Sequence, residues 1–113
     1  MKSIGLLPHE IELIRKVFCH FSEIYEVVLY GSRATGTYHR ESDIDLALIG
    51  VSDDLLAEAI ADELDELPLP YRFDVKAYDR ITYHPLQEHI MRVGITLYRR
   101  GLPDETGAAS MEK

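Results

Sequence analysis

The stretch Gly31–Asp45, GSRATGTYHRESDID, decides how this chain is read. It follows EVVLY, residues 26–30, a short run of β-branched and apolar residues that reads as a buried strand. Gly31 lets a ligand approach the backbone closely. Ser32 brings a hydroxyl to the start of a short helix, where free amide donors form a natural seat for phosphate. The stretch closes on Asp43 and Asp45. In DIDLALI, residues 43–49, Ile44, Leu46 and Leu48 alternate with Asp43, Asp45 and Ala47, the period of a strand. The two aspartates therefore share a face, with Cα atoms roughly 6.5–7 Å apart. Carboxylates that close repel unless something pairs with them. A divalent cation does so, and Mg²⁺ favours carboxylate oxygens together with substrate phosphate.

A third carboxylate belongs to the same argument. YRFDVKAY, residues 71–78, reads as a strand with Phe73, Val75 and Ala77 on one face and Arg72, Asp74 and Lys76 on the other. Asp74 between two apolar neighbours needs a partner, and it joins Asp43 and Asp45 if the strands are adjacent. Taken singly, a Gly-Ser after a strand is commonly a turn, and an Asp-x-Asp is commonly a solvated strand face. Their combination in this order and spacing is rare by accident.

Outward from these motifs the chain alternates between helix and strand. Residues 9–21 carry Ile11, Ile14, Phe18 and Phe21 at helical spacing, with Leu13 and Val17 beside them and Pro8 at the first helical position. Ser52 is expected to cap a helix running to about Leu67, with Asp53 and Asp54 in its first turn. Pro68 and Pro70 stop it. Pro85 opens a last helix, with Leu86, Ile90 and Val93 inward and Gly94 as its stop, and ITLY, residues 95–98, reads as a final strand. This order predicts an α/β (α+β) fold: a small mixed sheet of about four strands with helices packed on it. Strand pairing stays open. Residues 1–100 are expected to form the domain and 101–113 a frayed tail.

The chain has 113 residues, 46% hydrophobic and 28% charged, which fits one small globular domain. A single cysteine excludes a disulfide scaffold. No apolar run reaches membrane-spanning length, and Pro8, His9 and Glu10 interrupt any signal-peptide core, so a cytosolic protein is expected. The formal net charge of −8 is the wrong sign for general nucleic-acid binding.

LYGSRATGTYHRESDIDLALI resembles the Gly-Ser…Asp-x-Asp pattern of the nucleotidyltransferase superfamily typified by DNA polymerase beta. LPYRFDVKAYD and LQEHIMRVGITLY look like the later strand, helix and terminal strand of its minimal nucleotidyltransferase (MNT) members, often paired with a HEPN-domain protein. The resemblance covers roughly residues 9–100. It implies that Gly31 and Ser32 hold the triphosphate of ATP and that Asp43, Asp45 and Asp74 bind Mg²⁺ in a two-metal site, Asp74 also serving as general base. It implies transfer of AMP onto a tyrosine of a HEPN ribonuclease toxin, which makes the chain an antitoxin. Two alternatives stand beside this: a non-catalytic antitoxin acting by stoichiometric contact, and a small-molecule nucleotidyltransferase working with a separate substrate-binding subunit. No direct nucleic-acid or membrane partner is expected.

Other residues carry weaker expectations. Arg33, counted with the phosphate-binding candidates, either reaches a phosphate or points to solvent. His39 and Arg40 approach nucleotide or sit in a solvated turn. Ser42 caps the strand entry. Lys76 is expected to form an ion pair, His89 to be packed against its neighbours, and Cys19 to act as a small core hydrophobe.

Overall fold

β-Branched and apolar residues put four short strands into one sheet. The computed structural model describes residues 4–101. The strands are β1 (Glu26–Tyr30), β2 (Ile44–Ile49), β3 (Phe73–Ala77) and β4 (Ile95–Arg99), in the spatial order β3-β2-β1-β4. β1 runs antiparallel to both β2 and β4, whereas β2 and β3 are parallel. A parallel pair needs a crossover connection, and α3 (Asp54–Asp65) supplies it. The result is the expected mixed sheet with helices.

Strand alternation splits the sheet into two faces. Val27, Leu29, Ile44, Leu46, Leu48 and Ala77 point to one face and form the main core with Ile14, Val17 and Phe18 of α1 (Pro8–Phe18) and Ile60 and Leu64 of α3. The other face carries Val28, Tyr30 and Ala47, packed with Ile90 of the last helix, α4 (His84–Val93). The carboxylates of interest lie on this second face.

Several boundaries differ from expectation. α1 ends at Phe18, not near residue 21. Cys19 therefore falls at the helix end, off the buried stripe, and is exposed rather than core. α3 is capped by Asp53, whose side chain accepts from the Leu55 N–H at 2.9 Å, so Ser52 is not the cap. β3 is shorter than 71–78, and a 3₁₀ turn, Tyr78–Arg80, follows it. The expected tail lies outside the described residues, apart from Gly101. Among the described residues no helix is long and apolar enough to cross a membrane.

Candidate active site

β1 delivers its chain into Gly31 and then into the four-residue helix α2 (Ser32–Thr35). Gly31 adopts φ 78°, a left-handed conformation that favours glycine. A Cβ there would also run into the Asp45 carboxylate. The absent side chain is thus what allows the Gly31–Ser32 turn and the carboxylate to lie together. The Ser32 hydroxyl has no hydrogen-bond partner among the described residues.

Register brings the acidic residues together. In the parallel β2–β3 pair, Asp45 is the direct partner of Asp74, and across the antiparallel pair Tyr30 is the partner of Asp45. Tyr30, Asp45 and Asp74 therefore form one row across three strands. Asp43 stands one residue before β2, not within it, at the mouth of the same face. The side chains of Asp43 and Asp74 remain nearly half exposed, at 45% and 47%, so a ligand has access to both.

The electrostatics are those of a site short of positive charge. Burial, then the nearby Asp74 and Asp43 charges, push the Asp45 carboxyl above the usual range, and Lys76 only partly offsets this. Burial, with Asp74 and Asp45 close by, also pushes the Tyr30 phenol well up. Lys76 Nζ donates to both Asp74 oxygens at 3.0 and 3.1 Å, the ion pair expected of it. Arg72 Nε lies 3.6 Å from Asp43 Oδ1.

Among the described residues, no three His, Cys, Asp or Glu side chains already converge on one point. The side-chain cations explain this locally, because Asp74 is turned to Lys76 and Asp43 lies towards Arg72. The donor chemistry nonetheless fits a hard divalent cation: three carboxylates at one sheet face, the central one under repulsion that Lys76 only partly offsets.

Arg33 does not point to solvent: it is only 1% exposed. Its guanidinium donates to the carbonyls of Ser42, Arg40, Ile4 and Gly5. The flat group also lies over the rings of Tyr38 and Tyr71, at 5.2 and 5.1 Å. Ser42 turns its hydroxyl to the His39 N–H at 2.9 Å, closing the turn before Asp43. His39 and Arg40 are exposed in that turn. His89 packs edge-on against Tyr30, ring centroids 6.5 Å apart, as a packed residue would.

Tyr30 is the site neighbour that sequence reasoning passed over. Its parity with Val28 places it on the face opposite Leu29, a signal present in EVVLY but meaningless until β1 is known to lie beside β2.

The fold recurs in known proteins. A family model described as polymerase beta, nucleotidyltransferase, matches residues 12–101. No curated protein sequence matches significantly. One chain of a toxin–antitoxin crystal structure with AMP-PNP superposes with a TM-score of 0.66 at 22% identity, over 85% of this chain and 76% of that one. A chain of the MntA–HepT toxin–antitoxin gives 0.62 at 18%, over 82% and 73%. A chain from the tri-AMPylated Shewanella oneidensis HEPN toxin in complex with its MNT antitoxin gives 0.61 at 18%, over 80% and 71%. At these identities the superpositions speak for the fold, and the family model spans most of the chain: it belongs to the polymerase beta nucleotidyltransferase family.

Proposed function

We propose that the chain is a metal-dependent nucleotidyltransferase that moves AMP from ATP onto a hydroxyl of a partner protein, and that it acts as an antitoxin in the cytoplasm. The observation that carries this reading is the adjacency of Asp45 and Asp74 across β2 and β3, with Asp43 at the strand entry and the Gly31–Ser32 turn against Asp45. Carboxylates so placed, beside a phosphate seat, are the parts that phosphoryl transfer needs. The nucleotide in one structural neighbour and the AMPylated HEPN toxin in another support ATP as donor and a HEPN protein as acceptor.

In this reading Ser32 and the amides at the start of α2 hold the triphosphate. The acceptor oxygen forms its bond to the α-phosphorus, the bond to the bridging oxygen breaks, and pyrophosphate leaves. The acceptor proton passes to Asp74. Asp43, Asp45 and Asp74 would hold Mg²⁺, which supplies charge stabilisation to the entering and leaving oxygens. Lys76 shares both Asp74 oxygens, and each oxygen keeps a further lone pair for either role.

The test is the intact mass of the HEPN partner before and after incubation with the chain and Mg-ATP. A gain in whole AMP units is expected, and none with Asp45→Asn. An unchanged mass in a stable complex would instead indicate inhibition by contact. Release of pyrophosphate dependent on a metabolite, without the partner, would point to a small-molecule acceptor.

A further inference from the structure

We propose that Arg33 is a positioning residue that sets the spacing between the phosphate seat at Ser32 and the carboxylates beginning at Asp43. The inference rests on the nucleotidyl-transfer reading of that site and assigns Arg33 no contact with substrate. Ser32 immediately precedes Arg33 in the chain. Ser42, which immediately precedes Asp43, offers its carbonyl to Arg33 Nε at 3.2 Å and Nη2 at 3.0 Å. One side chain thus ties together both ends of the ten-residue segment that separates the two halves of the site.

The grip is built on every side. Nη2 also donates to the Arg40 carbonyl at 3.4 Å, and Nη1 reaches the Ile4 and Gly5 carbonyls at 3.1 and 3.3 Å. Tyr38, from within the tied segment, and Tyr71, three residues before Asp74, both lie within cation–π range of the guanidinium. Tyr71 in turn donates its hydroxyl to Glu10 Oε1 at 2.8 Å. A guanidinium offers five donors in a planar fork, and this arrangement uses the fork and sets two aromatic rings against the group. A lysine could supply the charge and the apolar stem but neither the fork nor the stacking plane. Within the segment, the hydrogen bonds between Thr35 and Thr37 and between His39 and Ser42 are short-range and do not span it.

The test compares the wild type with Arg33→Lys and Gly5→Ala. A Cβ at Gly5 runs into the Tyr38 ring and Arg33 Nη1, so the second variant disturbs the grip without removing the arginine. Ile60→Val, in the core away from the site, serves as a control for lost stability alone. Far-UV circular dichroism checks folding at the assay temperature. Mn²⁺ affinity without nucleotide, and kcat and KM for ATP in transfer to the partner, are then measured.

Both test variants should lose at least about tenfold in kcat, since misplacement of about 1 Å can lower rates a hundredfold. KM for ATP should stay close to wild type, and Mn²⁺ binding should weaken. Ile60→Val should lower Tm and change neither. A raised KM with kcat preserved would overturn the proposal in favour of direct phosphate contact. A lowered Tm with kcat and Mn²⁺ affinity intact would overturn it in favour of stability alone. If Arg33→Lys does not fold, Gly5→Ala decides by the same criteria. Wild type that binds no Mn²⁺ would bring down the site reading itself, whereas wild type that binds Mn²⁺ but modifies no partner leaves the metal readout to decide.

Discussion

At the residue scale, burial and two neighbouring carboxylates make the ionised form of Asp45 unfavourable, and its carboxyl is pushed up. The native state then holds a proton more tightly than the unfolded chain does. The stability this represents is present at acid pH and is lost as pH rises from the ordinary carboxylate range through the raised native value. In divalent-free buffer at neutral pH, Asp45→Asn should therefore raise Tm by a few degrees, although with Mg-ATP it abolishes transfer, and thermal melts should show the advantage shrinking as pH falls. Gly31→Ala should behave oppositely in stability, because its φ of 78° and the Asp45 carboxylate leave no place for a methyl group. Its Tm should drop and its Mn²⁺ binding should be lost together. The motif itself, Gly31-Ser32 and Asp43-x-Asp45, was legible in the sequence because its spacing is local. The surroundings of Arg33 were not legible, because nothing local says that the segment folds back over it; the carbonyls of Ile4 and Gly5 lie 29 and 28 residues away in the chain.

At the element scale, periodicity located the three long helices and the four strands, and local chemistry decided where each one ends. Asp53 took the cap of α3 from Ser52 because its carboxylate meets the Leu55 N–H. Asp53→Ala should cost about 1 kcal/mol, the usual worth of such a cap, seen as a lower denaturation midpoint with transfer unchanged. Ser52→Ala should be nearly silent. Cys19 shows the same dependence on boundaries: one more turn of α1 would bear on its burial, and the turn is not there. β3 is cut to five residues by the 3₁₀ turn after Ala77, yet it keeps Asp74 and Lys76 on the carboxylate face. Strand alternation protects that facing whatever the strand's exact ends.

At the scale of the whole molecule, the proposed metal site predicts a native state that responds to divalent cations, with a net charge of −8 and Asp45 facing Asp74. An ion that binds the native state alone stabilises it by about 2.7 kcal/mol at a hundred times its Kd. Mg²⁺ should therefore raise the Tm of the wild type and leave that of Asp45→Asn nearly unmoved, which differential scanning calorimetry would show. Fold class, the order of the main helices and strands, and the Gly-Ser and aspartate motifs were legible in the sequence, because hydrophobic period and motif spacing are properties of neighbours along the chain. Tertiary structure alone decided that β3 lies parallel to β2 and brings Asp74 beside Asp45, that Tyr30 completes their row, and that Arg33 is spent on carbonyls and rings. Strand order and register depend on which faces can be buried together, and that is settled only when the whole chain closes on one core.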